Sequence, residues 1–265
     1  MPNEKYVKGE VVDGILKVPL GFTIAYHDGR LQRINPNVDA YKWNPSGYLS
    51  SWEAKILNRF HYSWFNLMQD YLLSENFKNV IRSLDKPRPA INDIFRIFLK
   101  PVEDYKVIIV GQDPYPNYHA NGIAFDTDYS PKPQSWFKIK EVLQDEYEVG
   151  ELDIKHWVEQ GVMMANSALS VKDGLPGSDT HIWNEFTRTW IQELSGAKPY
   201  LVWVFLGKQA QNFVKYVDDT PHVSLLAEHP AKAARENRKW DDAGIFPHIN
   251  AVLKTWNKQE IDWLY

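Results

Sequence analysis

VIIVGQDPYPNYHANGIAF, residues 107–125, starts on the apolar run Val107–Val110 and stops on Gly-Gln-Asp. A run this short, rich in β-branched residues and bounded by glycine and proline, reads as a strand buried on both faces. Such strands belong to parallel sheets. Asp113 follows at once, and then Pro114 and Pro116. An Asp past a strand end is ordinarily a turn former. Here the prolines fix φ and remove amide donors beside it, so the loop cannot relax around the carboxylate. A carboxylate held in this way suits a cleft.

The same alternation continues along the chain. A short helix is expected around Asp93 to Leu99, ahead of the strand Lys106 to Val110. SWFKIKEVLQDEY reads as a helix and GVMMANSALSV contains a second buried strand. Trp183 to Leu194 is helical, and YLVWVFLG is a third strand ending on Gly207. KQAQNFVKYV is the next helix, HVSLLAEHP a fourth strand, and Ile249 to Trp256 a last helix. Strands alternating with helices predict an α/β fold, a three-layer α/β/α domain around a mostly parallel four-stranded sheet. Ligands of such sheets bind beyond the carboxyl ends of the strands. Gln112, Asp113, Asn166, Gly207 and His229 all stand just past such ends.

Residues 1–45 differ. Asp13-Gly14 and Asp28-Gly29 each sit between apolar residues, a hairpin signal, so this segment is expected to be a β-hairpin extension. Residues 46–265 then form the α/β domain. It opens on an amphipathic helix, SSWEAKILNRFHYSWFNLMQDYLL, with capping-box spacing at Ser50 and Glu53. The 265 residues are 44% hydrophobic and 24% charged, ordinary globular composition. The absence of cysteine excludes disulfides, zinc-thiolate sites and a cysteine nucleophile. The N-terminus lacks the apolar core of a signal peptide and no run spans a membrane, which predicts a cytoplasmic protein. A net charge of −4 argues against a wholly nucleic-acid-coated surface but permits a local basic patch. Most of the eleven tryptophans are read as core.

Asp113 and His229 both follow strand ends, so one sheet edge can bring them together. An anion there supports a developing cation, and a neutral imidazole donates to a developing anion. Asn166 adds an amide able to read a planar polar edge bidentately. A Ser/His/Asp triad is a rival, but no Gly-x-Ser-x-Gly elbow occurs. Gly-x-Gly-x-x-Gly and Walker motifs are absent, GLPGSD follows no suitable strand-to-helix turn, and no metal-ligand cluster stands out.

VIIVGQDPY resembles the water-activating motif of the uracil-DNA glycosylases of the bacterial, eukaryotic and herpesviral type. NGIAF (121–125), GVMMANSALSV, THIWNEFT, the His-Pro at 229–230 and the terminal IDW (261–263) are similar to further blocks of that family, in order, over about residues 86 to 265. The resemblance implies base flipping and hydrolysis of the N-glycosidic bond of deoxyuridine, leaving an abasic site, without metal or organic cofactor. Carried over by position, Asp113 orients the attacking water and supports the oxocarbenium-like sugar, and His229 stabilises the departing uracil anion. Asn166 reads the uracil edge, Phe125 stacks on the base, Tyr115 excludes the thymine methyl, and Gln112 lines the water side.

The departures from the family are local. Pro116 replaces the usual His, Ala231 the Ser that contacts phosphate, and Ala233 stands where a Leu wedge is expected. Lys232, Arg235, Arg238 and Lys239 make that loop basic, and the first three are DNA-backbone candidates. Ser135 stands in a segment that resembles the family's Pro-Ser loop, which implies a further DNA-backbone contact. Asp-Pro-Tyr-Pro and His-Pro-Ala-x-x-Arg resemble the poxviral branch, whose glycosylase also serves DNA polymerase processivity. That resemblance implies a viral or mobile-element origin. Expected partners are uracil-containing single- and double-stranded DNA, a DNA polymerase or replication protein, and a proteinaceous glycosylase inhibitor. The alternative function is a replication accessory with secondary or lost activity. A glycosylase for another damaged base is weaker, because Asn166 and Tyr115 are retained.

Overall fold

The computed structural model describes residues 56–147, 150–219 and 221–265, with the backbone of four short strands nearer the N-terminus. β1 (Glu10–Val12) and β2 (Ile15–Lys17) pair antiparallel with Val12 opposite Ile15. β3 (Ile24–His27) and β4 (Arg30–Arg33) do the same with His27 opposite Arg30. Both registers leave the two-residue Asp-Gly spacing that the hairpin reading requires. The turn residues themselves lie outside the described residues.

The chain forms two compact units, Met1–Arg82 with Phe98–Glu103, and Ser83–Ile97 with Asp104–Tyr265. In the first, α1 (Tyr62–Leu72) buries Trp64, Phe65, Met68 and Leu72. The expected long helix is interrupted before it, and its capping pair, Ser50 and Glu53, lies outside the described residues. The His61 amide donates to Phe98 O at 2.7 Å instead of continuing a helical ladder. The His61 ring then caps α1, its Nδ1 accepting from the Ser63 amide at 3.3 Å. Phe60 stays fully buried, 5.3 Å from Phe98 between ring centroids. α2 (Glu75–Ser83) follows. The helix expected over Asp93–Leu99 is a turn followed by a 3₁₀ segment, Arg96–Leu99. Its leading bonds run three residues back, as from the Arg96 amide to Asp93 O.

The second unit holds the sheet. β5 (Pro87–Arg88) is followed by β6 (Val107–Gly111), α3 (Gln134–Tyr147), α4 (Ile154–Glu159), β7 (Val162–Asn166) and β8 (Val171–Lys172), which pairs with β5. Next come α5 (Thr180–Ala197), β9 (Val202–Leu206), α6 (Gly207–Gln211), β10 (Val223–Ala227), α7 (Pro230–Arg235) and α8 (Ile245–Thr255). The four long strands run parallel in the order β10-β9-β6-β7, the expected α/β architecture. Every residue of β6 and β9 is buried, because helices cover both faces. Val107, Ile109, Val202 and Val204 join the core that includes α3 and α8 residues. On the alternate face Trp203 stacks on Trp190 of α5 at 6.1 Å. Trp157, Trp183, Trp190, Trp203 and Trp240 are fully buried, so they belong to the core. No helix among the described residues is long and apolar enough to cross a membrane.

Candidate active site

Parallel pairing places the strand ends level. Gly111 lies opposite Asn166, and Leu206 opposite Ala227. Asp113 and His229 each follow two residues beyond such an end, at one edge of the sheet. Amides of the β7 exit prolong the ladder: Ser167 N donates to Gly111 O and Ala168 N to Gln112 O, both at 2.9 Å. The backbone leading into Asp113 is therefore clamped. A cleft of about 170 Å³ opens there, lined among others by Asp113, Tyr115, Phe125, Ser135, Asn166, His229 and Arg235. Gln112 is not part of that lining; its carbonyl also accepts from Ser167 Oγ at 2.8 Å.

One oxygen of Asp113 is held. The Gly177 amide donates to Oδ2 at 2.6 Å, and Gly174 N donates to Pro116 O at 2.7 Å. The loop DGLPGSD thus straps the Asp113–Pro116 turn. It is anchored behind by Asp179, whose carboxylate accepts from Ser170 Oγ at 2.6 Å and from Ser178 Oγ at 3.1 Å. Burial pushes the Asp113 carboxyl above its ordinary range, and the Gly177 bond pulls it partly back. Gly177 has φ +76, a conformation that suits glycine. This strap was missed in the sequence, although two glycines around Leu-Pro between a strand and a helix are its signature.

His229 caps α7, with Pro230 at the first helical position. HPAKAAR is thus a short helix rather than the loop expected there. The His229 Nδ1 accepts from Ala231 N at 3.2 Å. Burial pushes the ring down to about 4, and the Arg235 charge acts in the same direction. A neutral ring whose Nδ1 accepts must carry its proton on Nε2, so the free nitrogen is a donor. Gly207 allows the close approach: a Cβ there would lie 2.8 Å from the His229 Cβ.

Phe125 lies 5.4 Å from the His229 ring and has φ 63, a strained conformation for a side-chain-bearing residue. Ala124 N, donating to Met164 O at 3.0 Å, ties the segment to β7. A Cβ on Gly111 would stand 2.7 Å from Asn166 Oδ1 and 3.0 Å from Phe125 Cζ, so glycine is what lets these two side chains converge. The Asn166 amide makes no hydrogen bond with a described residue and is available to a ligand. Tyr115 is fixed: its hydroxyl donates to Phe125 O at 3.3 Å and lies 2.9 Å from Ser135 Oγ. Burial pushes the Tyr115 hydroxyl up to about 12. Ser135 is only 5% exposed, so its hydroxyl serves Tyr115.

The basic run divides in two. Lys232 pairs with Glu228 at 2.7 Å, Arg238 with Glu228 and Glu236, and Lys239 with Asp145. Arg235 lines the cleft and has no ion pair among the described residues. Ala233 is fully buried in the core and cannot reach into a DNA stack.

The sequence model of the Uracil DNA glycosylase superfamily matches residues 99–257. The chain is 33% identical over 215 residues to the uracil-DNA glycosylase of Campylobacter lari, covering 76% of this chain and 93% of that protein. It is 33% identical over 242 residues to that of Campylobacter jejuni, covering 88% and 99%. In fold it is similar to the crystal structure of mimivirus uracil-DNA glycosylase, with a TM-score of 0.71 at 22% identity over 78% of this chain and 88% of that one. By sequence and by fold, the chain belongs to the uracil DNA glycosylase superfamily.

Proposed function

We propose that this protein is a uracil-DNA glycosylase of base excision repair, acting in the cytoplasm on uracil in single- and double-stranded DNA. The observation that carries this reading is one cleft that joins a strapped carboxylate, a neutral histidine donating through Nε2 and an unoccupied amide. In a duplex the target nucleotide is first flipped into the cleft. The C1′–N1 bond then breaks with its electron pair leaving on the base. Asp113 faces the cationic sugar, orients water toward C1′ and takes up the proton that water loses. His229 Nε2–H donates to O2 of the uracil anion; one preorganised donor of this kind is worth about 10²–10³ in rate.

Asn166 supplies an acceptor for N3–H and a donor for O4, which cytosine presents in reverse. Phe125 offers a ring face to the base, and Tyr115, held by Ser135, excludes a 5-methyl group. Gln112 acts through its backbone by fixing the turn. Of the basic residues, Arg235 is assigned to the DNA backbone. Lys232 and Arg238 are assigned to the surface carboxylates that already hold them.

Incubation with single- and double-stranded oligonucleotides carrying one uracil tests the proposal by release of the free base. A replication accessory with lost activity is not favoured, since the cleft keeps each group the chemistry needs. A DNA polymerase or replication protein, and a proteinaceous inhibitor, belong to the proposal as further partners, and co-purification with each tests them.

A further inference from the structure

A line of aromatic rings leads from the cleft to the surface. Tyr115, in the cleft wall, meets the His119 ring edge-on at 6.1 Å. His119 lies 4.3 Å from Tyr118, and Tyr118 meets Tyr129 at 5.2 Å in a T-shaped contact. The inner rings are buried or half-buried, whereas Tyr118 and Tyr129 are 52% and 53% exposed.

The segment that carries the outer pair is tied down through its backbone and the His119 ring. Asn117 Oδ1 accepts from His119 N at 3.1 Å, and His119 Nδ1 lies 3.0 Å from Thr127 Oγ1. The same Thr127 hydroxyl accepts from Tyr129 N at 3.2 Å. Lys132 Nζ, donating to Thr127 O at 2.6 Å, adds a positive charge at the base of the cluster. Tyr118 stands between Pro116 and Ala120, both of which line the cleft. Exposed rings that pack on each other over a tied-down backbone, adjoin a cationic group and are continuous with a candidate nucleotide site have the makings of a base-stacking surface. Such surfaces accept any base, because every base has a π-face.

We propose that Tyr118 and Tyr129 form a platform for an unpaired base next to the flipped nucleotide, giving the protein added hold on single-stranded DNA. The proposal rests on the glycosylase reading for the position of the flipped nucleotide. The test is equilibrium binding, by fluorescence anisotropy, of a single-stranded oligonucleotide with one non-hydrolysable 2′-fluoro-deoxyuridine. In companion oligonucleotides the nucleotides on either side of it are replaced by base-less tetrahydrofuran.

The wild-type protein is expected to lose about ten-fold in affinity when the flanking bases are removed. Tyr118→Ala/Tyr129→Ala is expected to lose about as much on the intact strand and nothing further on the base-less one. Tyr118→Phe/Tyr129→Phe, which keeps both rings, should bind like wild type. Equal losses for wild type and the Ala variant on base removal, or no loss in wild type, overturn the proposal. That outcome is also expected if the rings serve a protein partner. Absence of uracil release by wild type while the coupled losses persist would overturn the glycosylase reading and leave the platform standing.

Discussion

The backbone amide of Gly177 donates to Asp113 Oδ2 at 2.6 Å, joining residues sixty-four positions apart. Asp113 Oδ1 makes no hydrogen bond with a described residue, so the carboxylate is held by one oxygen and offers the other. The bond favours the ionised form while burial opposes it. Gly177→Ala places a side chain at φ +76, at a cost of about 1–2 kcal/mol, and loosens the donor. The acid limb of kcat against pH should then move to higher pH, because Asp113 loses its counterweight to burial. An unmoved limb with a lowered plateau would leave Gly177 as a scaffold residue only.

Stability should depend on pH through His229. The ring titrates near 6.5 when exposed and at about 4 when folded, so between these values the unfolded chain binds more protons. Stability therefore rises with pH across that window and is lost as pH falls through it. Thermal melts of wild type and His229→Gln over pH 4–7 should show a shallower slope for the variant. Asp113 has the opposite sign. Its folded value is raised, so holding it ionised at neutral pH costs stability. Asp113→Asn should accordingly melt no lower than wild type at pH 7.

Thymine rejection should depend on Ser135 through the ring that it holds. Ser135 Oγ lies 2.9 Å from the Tyr115 hydroxyl and fixes the ring proposed to block a 5-methyl group. Ser135→Ala should raise the ratio of thymine to uracil excision by up to about ten-fold, at the lower end of what one methyl group discriminates. Competition between thymine- and uracil-containing strands measures it directly.

Two arginine and lysine neighbours should part company in salt titrations. Arg235 lines the cleft without an ion pair among the described residues, whereas Lys232 is held by Glu228 at 2.7 Å. Removing a phosphate contact lowers the slope of log K against log salt by about one. Arg235→Gln should show that change in DNA binding, and Lys232→Gln should not.

Much of the architecture was legible in short apolar runs. Val107–Gly111, Val162–Asn166 and Val202–Leu206 are nearly pure strand signals, and their alternation with helices implies the parallel sheet. The placement of Asp113, Asn166 and His229 at one sheet edge was legible for the same reason, since Asn166 ends a strand and the other two stand just past one. Contacts over long separations were not legible. The amide that holds Asp113 comes from a loop whose glycines signal a turn but not its distant partner, and His61 leaves its helix for a carbonyl at Phe98. The partners of the basic run were not legible, because charge on a sequence does not reveal them; Glu228 and Asp145 pair with most of it. The helix after His229 was readable in principle, because Pro230 is a helix-start residue.

The most direct test of the catalytic assignment is single-turnover release of uracil by wild type and Asp113→Asn. The amide of Asn can still accept from Gly177, so the fold and the strap are kept while the charge is removed. Wild type should release free uracil from single- and double-stranded DNA and leave an abasic site. Asp113→Asn should bind the same strands but cleave at least about 10²-fold more slowly. Excision by Asp113→Asn at the wild-type rate, or no uracil release by wild type, would contradict the account.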